Sequence, residues 1–523
     1  MLSTLVAGLG AGAAPSGWST LVLTVLLTPA AALVLVTLTR NRRHAEAITV
    51  FSGILVVVQT LGLVSGVISQ GQFSAMGGYL YLDAFGALVL IPIAGVGFVA
   101  ALYSVSYMGR QYERGVVDDG HLVRYYQGFN CFVLTMLLVP LSNNMGLMWV
   151  AIEATTLVSV FMIMLYTNQG AMEAAWKYLI VATIGLSLAL LGIVLFSYAN
   201  TSVSPSAAAS GSALNWTSMA ADSRLLDPGI VKIAFVFVLV GLGTKAGLAP
   251  MHTWLPDAHG EAPTPVSALL SGVLLNCAIY GVLRFYIVAS GTLGAALPSE
   301  LMIILGLLSM GIASASIYFQ KDMKRMLAFS SVEHMGIVSL AVGFGGFIGF
   351  FAALLHIVNH AIAKPLLFFA SGAVSQRYET KVMAEIKGVI KTMPVTGALL
   401  LVGGLAIAGM PPFNIFLSEF MVLTSGFGGG QFIAGSLMIL LLVVIFAGFL
   451  RHLVPMVFGS PKGPGVAVPA SERPGERGAG LPAILAMGIL VVLVVVLGLY
   501  VPQPLQTLIR EAVQVFGQGA PTI

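Results

Sequence analysis

Residues 243–267 read Gly-Thr-Lys-Ala-Gly-Leu-Ala-Pro-Met-His-Thr-Trp-Leu-Pro-Asp-Ala-His-Gly-Glu-Ala-Pro-Thr-Pro-Val-Ser, and their reading decides the architecture. A mostly apolar run from Ile230 to Leu242 leads directly into Lys245. Pro250, Pro256, Pro263 and Pro265 then interrupt any helix, because each lacks an N–H and its ring clashes with the preceding turn. A second apolar run starts at Val266. A charge at membrane depth followed by Gly and Pro is the sign of a broken transmembrane helix, whose freed backbone groups must face protein or water. Such a lysine is costly to hold in a bilayer and marks a functional position; the alternative is a lysine near a helix end that snorkels to the interface. The about four turns of apolar helix before Lys245 favour function.

Working outward from that break, the composition is that of a polytopic membrane protein. Of 523 residues, 58% are hydrophobic and 8% charged, and long apolar runs recur throughout. Cys131 and Cys277 both fall inside apolar runs, so neither a structural disulfide nor a cysteine metal site is expected. The sequence holds no Walker loop, no dinucleotide-binding fingerprint after a strand and no CxxC pair. Nucleotide, hydride or iron–sulfur chemistry therefore has to come from other subunits, with no cofactor in this chain and no nucleic-acid partner. The run Trp18–Leu38 is too long for a signal-peptide core and is followed by Arg40, Arg42 and Arg43, so it reads as the first span.

The expected fold is all-α, with about fourteen transmembrane helices. The first eight fall at 18–39, 48–69, 79–105, 127–142, 144–166, 174–198, 229–249 and 264–289. The other six fall at 300–319, 325–344, 347–374, 393–424, 431–458 and 481–502. The twelfth is interrupted by Pro411-Pro412. Seventeen of the 24 Lys and Arg lie in the loops on one side, including Lys321, Lys324, Arg325, Arg377 and Lys381, whereas only Arg224 and Arg510 lie on the other. By the positive-inside rule the basic side faces the cytoplasm and both termini face outward. Residues 199–228, rich in Ser and Ala, read as a flexible loop, and 459–480 as a cytoplasmic linker.

The spans also repeat. Residues 1–126 carry three spans, 127–290 and 300–458 carry five each, and 481–523 carry the last span and a tail. Two sets of five enter from opposite sides and are therefore inverted. The broken seventh helix matches the twelfth, which breaks and then carries Glu419; Glu153 on the fifth matches Glu333 on the tenth. This is the arrangement that an alternating or two-half-channel ion path needs.

The buried charges supply the candidate chemistry. Glu153 has no basic residue within two turns, and in hydrocarbon an approaching cation decides whether such a carboxyl holds a proton. Glu153 and Lys245 form either a protonation switch or a structural ion pair. His356, His360 and Lys364 recur at i, i+4 and i+8, on one helical face about 6 Å apart per step. They can pass protons, or hold helices together by hydrogen bonds. Zinc also binds histidines at i, i+4, but no third ligand is placed by the sequence, so no metal site is assigned. Glu333-His334 adds a titratable pair, and Glu419 is the candidate exit group. His252, Asp257, His259 and Glu261 fall in the loop after the seventh span, where they either collect protons at the entrance or cap helices in solvent. Lys177 is a possible accessory at the same entrance, and Asp83 reads as an interface residue.

The string His252-Thr-Trp-Leu-Pro-Asp-Ala-His259, preceded by Lys245 and Pro250, resembles the most specific motif of the antiporter-like, proton-conducting membrane subunits. These are shared by NADH:quinone oxidoreductase, multi-subunit cation/proton antiporters and membrane-bound [NiFe] hydrogenases. The resemblance covers about residues 70–460, and Ser330-Ser-Val-Glu-His-Met-Gly336 with His356, His360 and Lys364 looks most like component F of hydrogenase-4-type complexes. It implies that Glu153 and Lys245 are the paired residues of the first half-channel, that His360 and Lys364 belong to the second, and that Glu419 is the last titratable group. One departure is Asn276, where many members carry lysine or histidine; water or Glu333-His334 then substitutes. The resemblance implies a proton-translocating subunit of a redox-driven complex in the inner membrane of a bacterium or archaeon. Its partners would be paralogous antiporter-like subunits, a peripheral iron–sulfur or [NiFe] module and the lipid bilayer. The alternatives are a subunit of a sodium/proton antiporter without redox partner, and a membrane scaffold.

Overall fold

The computed structural model describes residues 17–39, 41–460 and 479–517. Arg40, Lys462, Arg473, Arg477, most of the 459–480 linker and both chain ends lie outside the described residues, and with them what the sequence predicts there. The long helices are α1 (Gly17–Leu38), α2 (Arg42–Gln70), α3 (Ala84–Glu113), α4 (Asp119–Leu141), α5 (Met145–Ile163) and α6 (Gln169–Val203). They continue with α7 (Pro228–Ala246), α8 (Thr264–Leu293), α9 (Ala296–Phe319), α10 (Met323–Phe344) and α11 (Gly346–Tyr378). The last are α12 (Pro394–Ile407), α13 (Asn414–Gly428), α14 (Phe432–Phe458), α15 (Leu481–Leu499) and α16 (Gln503–Gly517).

Thirteen stretches of the described residues are long and apolar enough to cross a membrane, against the fourteen that hydropathy predicts. The difference is the predicted 393–424 span, which is two helices, α12 of 14 residues and α13 of 15. Each alone is shorter than the about 20 residues a crossing needs. Gly409, at φ 72° in the left-handed region, turns the chain between them. The same device ends α7: Gly247, at φ 78°, follows Ala246, and the chain passes through a 3-10 helix at Met251–Trp254 into the short α-helix Leu255–Glu261.

Polar side chains punctuate the apolar helices. Asn41, Asp83, Asp118, Asn144, Asn168, Asp227 and Asp322 each accept a backbone N–H in the first turn of the helix that follows. The cap at Asp83 moves the start of α3 to Ala84, because Leu80–Leu82 pairs with Phe73–Ala75 in a small antiparallel hairpin. The Tyr79 carbonyl accepts from Asn143 and Asn144, which pins that hairpin to the α4–α5 turn. Residues 199–228 are not the loose loop their composition suggests. Pro205–Ser210 and Trp216–Ala221 are helical, and buried Trp216 donates to the Arg284 carbonyl at 2.9 Å, so the segment folds down onto the bundle. Asp83, at the opening of α3, is not solvated there: with Arg284 it forms a buried bidentate pair at 2.8 and 2.7 Å, boxed by the Phe85, Trp216 and Tyr280 rings.

The helices sort into an inner and an outer set. From Leu275 to Ser290, α8 is buried continuously, and α10 and α11 are nearly so. A helix buried all round is expected to be apolar all round, yet these three carry Asn276, Arg284, Glu333, His334, His356, His360 and Lys364 inside the core. One turn of wider π-helix, Leu270–Leu274, precedes Asn276. Small residues let α6 and α7 touch backbone to backbone: a Cβ at Gly241 would lie 2.4 Å from the Ala189 nitrogen and 2.5 Å from the Gly185 oxygen. Amphipathic α16 closes the end opposite the basic loops, its Phe516 ring 5.4 Å from Phe85 and 4.6 Å from Phe350.

Candidate functional site

Lys245 occupies the last turn of α7 because Gly247 stops the helix there, and a cation is favoured near that negative helix end. The side chain is 0% exposed, which removes the snorkelling alternative. Its Nζ donates to Thr156 Oγ1 at 2.7 Å and to the Tyr178 hydroxyl, linking α7 to α5 and α6. Tyr178 also shares a 2.9 Å hydrogen bond with Ser159, and its ring packs 4.5 Å from Trp254. Glu153 lies one turn before Thr156 but forms no ion pair with Lys245. It accepts instead from Thr183 at 3.3 Å, at the lateral surface of α5 and α6, and its Oε2 has no protein partner.

The segment after the break connects the two halves of the bundle. Asp257 receives Lys177 at 2.5 Å and also Arg325, and Glu261 receives Lys381 at 3.3 Å. These side chains are partly exposed. His252 and His259 are not solvated loop residues. Both are buried, His259 between Trp254 and Phe368 with neither ring nitrogen bonded to protein, because the Leu255–Glu261 helix turns it inward. Lys324 departs from its expected loop position in the same way: the Asp322 cap starts α10 before it, and its buried Nζ donates to the Ala262 carbonyl at 2.6 Å. Lys324, Glu261, Arg114 and Lys381 line a cavity of about 830 Å³ at the basic end. Asn276 donates to Gly272 at 2.8 Å and to Ile357 at 3.3 Å, tying α8 to α11, and leaves its Oδ1 without a partner.

The second half gathers more titratable groups. Lys364, 0% exposed, donates to the Leu327 carbonyl at 2.8 Å and to Ser330, both on α10. Glu333 is buried on the same helix without forming an ion pair with it. The His334 and His356 rings hydrogen-bond at 2.9 Å, and His356 bonds Ser418 at 2.9 Å. The His360 ring lies 5.2 Å from His334 and has no protein partner at either nitrogen. Glu419 reaches this group from α13, its carboxylate resting against the Gly409 turn.

Buried polar atoms without a protein partner need water, a proton or a cation. Such atoms recur on Glu153, His259, Asn276, His360, His334, Glu333 and Glu419. The structure thus joins Glu333, His334, His356, His360 and Glu419 into one cluster, with Lys364 beside it, and leaves Lys177 and Asp257 at the surface. Thr156, Tyr178, Ser330 and Ser418 hold these groups in place and were not legible in the sequence, since hydroxyls are ordinary in apolar helices. The Asp83–Arg284 pair had a signal, two opposite charges each at the same end of a span, but nothing in the spacing joined them.

The family profile described as NADH:quinone oxidoreductase/Mrp antiporter, TM, matches residues 142–447. A hydrogenase-4 component F homolog from Methylacidiphilum infernorum (isolate V4) is 41% identical over 387 residues, spanning 74% of this chain and 80% of that protein. A chain of the membrane-bound sulfane sulfur reductase (MBS), an archaeal respiratory membrane complex, matches with TM-score 0.81 at 25% identity, over 96% of this chain and 98% of its own. A chain of the Mrp complex from Dietzia sp. DQ12-45-1b shares the fold with TM-score 0.81 at 21% identity, over 95% and 97%. The profile covers more than half of the sequence and falls on the helices that carry Glu153, Lys245, Glu333, Lys364 and Glu419: this chain belongs to the NADH:quinone oxidoreductase/Mrp antiporter family of antiporter-like membrane subunits.

Proposed function

We propose that the chain is the proton-translocating membrane subunit of a redox-driven complex of the hydrogenase-4 kind. Protons move through Glu153, Lys245, Glu333, His334, His356, His360, Lys364 and Glu419, with Lys177, His252, Asp257, His259 and Asn276 as entrance or accessory groups. One observation carries the reading: both lysines are fully buried, and both are held by uncharged oxygens rather than by their glutamates. A structural ion pair would be closed, whereas a lysine resting on hydroxyl and carbonyl oxygens is free to approach or leave a carboxylate. An approaching cation favours ionisation of that carboxyl, and a withdrawing one favours its protonation. In this reading α12 and α13 are one broken crossing, which makes fourteen. The sets α4–α8 and α9–α14 are inverted repeats, and the breaks near Lys245 and Glu419 correspond.

The basic loops face the cytoplasm of a bacterium or archaeon, the termini face outward, and the chain itself carries no redox cofactor. Its partners are paralogous antiporter-like subunits and a peripheral iron–sulfur or [NiFe] module. The identity to the hydrogenase-4 component F homolog supports that assignment over a stand-alone antiporter. The test is proton uptake by the reconstituted complex with and without electron donor. Uptake that needs the donor and disappears in Lys245→Ala supports the reading. Sodium-for-proton exchange without any donor establishes the sodium/proton antiporter instead.

A further inference from the structure

Glu333, His334 and Glu419 each offer a ligand atom, and these atoms lie within 4.8 Å of one another. All three residues are buried, and each has one side-chain atom, Glu333 Oε2, His334 Nε2 and Glu419 Oε1, with no protein hydrogen-bond partner. The sequence places only histidines at ligand spacing on α11; the fold instead brings Glu333 and His334 of α10 together with Glu419 of α13, across the break after α12. We propose that Glu333, His334 and Glu419 form a binding site for a divalent transition-metal cation of the zinc class.

Charge balance supports a dication. Two carboxylates this close inside a buried core either hold a proton or share a cation, and a dication would balance both charges at once. Lys364 does not fill that place, because its Nζ is taken by Leu327 and Ser330. The imidazole selects the kind of cation: sodium, magnesium and calcium take oxygen ligands, whereas two carboxylates and one histidine suit zinc with a position left for water. The surroundings suit a ligand histidine as well. His334 Nδ1 bonds His356 Nε2 at 2.9 Å and His356 Nδ1 bonds Ser418 at 2.9 Å, which fixes the ring and leaves Nε2 available. Tetrahedral bonds of ~2.0–2.2 Å place ligand atoms about 3.4 Å apart, inside the 4.8 Å within which these three atoms lie. The site borders the break: Glu419 rests against Gly409, next to the exposed Met410, Pro411 and Pro412.

The inference does not depend on the proton-relay reading, because zinc binding is measured without proton flux. The full-length chain in lipid nanodiscs is equilibrated with zinc alone, and bound metal is measured by elemental analysis and X-ray absorption. One zinc per chain with nitrogen and oxygen ligands is expected, and His334→Gln and Glu419→Gln should each weaken binding at least about 100-fold. The triple variant H44Q/H121Q/H452Q, which removes histidines outside the cluster, should bind as the parent does. His334→Cys guards against misfolding of the glutamine variant: it should retain zinc and show a sulfur ligand at ~2.3 Å. Absence of zinc from the parent, zinc retained by His334→Gln or Glu419→Gln, zinc lost from the triple variant, or zinc-loaded His334→Cys without sulfur would each overturn the site.

Discussion

The surroundings of Lys245 and Lys364 differ in a way that separates what the two halves of the molecule have in common from what is particular to each. Both lysines are fully buried, both are anchored by uncharged oxygens from neighbouring helices, and neither touches its glutamate. Around Lys245 the remaining polar groups are the hydroxyls of Thr156, Ser159 and Tyr178, and Glu153 is set out at the lateral surface. Around Lys364 they are imidazoles and carboxyls, all in the core. The parked lysine is therefore the shared element, while the polar groups beyond it are hydroxyls in one half and imidazoles and carboxyls in the other. Hydroxyls relay a proton without holding charge; histidines can store one.

The strongest way to break this comparison is to remove the lysines. Lys245→Ala and Lys364→Ala should each lower proton uptake in proteoliposomes by about 100-fold or more, with assembly on native gels retained. Normal uptake by one of them would end the equivalence of the halves. Next comes the buried pair that does touch, Asp83–Arg284. Asp83→Asn should cost about 3–5 kcal/mol of stability, read as a lower thermal midpoint, while uptake per assembled complex stays unchanged. A transport defect at full stability would place that pair in the path.

A smaller effect is expected at His360, whose ring nitrogens bond no protein group. His360→Gln should reduce uptake about 10- to 100-fold with little change in melting, whereas unimpaired pumping would remove this part of α11 from the relay. The mildest change sharpens the first half. Tyr178→Phe deletes the hydroxyl shared by Lys245 and Ser159, an interaction worth ~1 kcal/mol. Uptake about fivefold lower is the expected readout, and no change would leave Thr156 as the only anchor that matters.

Much of this was readable in the sequence because the bilayer imposes it. Apolar length marks the spans, and Pro250 and Pro411-Pro412 mark both breaks. Periodicity on α11 brings His356, His360 and Lys364 onto one face, and all three are buried. What stayed hidden depends on tertiary approach. Glu419 meets Glu333 only because α13 folds back after Gly409. Lys324 and His259 read as loop residues because their neighbours are charged or prolines, and only the helices that start at Asp322 and Leu255 turn them inward. The composition of 199–228 concealed its anchor for a similar reason: a single Trp216, reaching Arg284, outweighs a run of Ser and Ala.

The seam between α6 and α7 has a consequence for time. With Gly241 pressed against the backbone at Gly185 and Ala189, neither helix can slide or rotate past the other without a clash. The carriers of Tyr178 and Lys245 thus pack as one unit, within which the moving part of Lys245 is its own four-carbon stem. Such rotamer changes belong to a far faster regime than the microseconds to milliseconds of helix rearrangements. Under the proposed relay, the first half equilibrates rapidly and waits, and the slow step of a turnover belongs to whatever changes the charge around it.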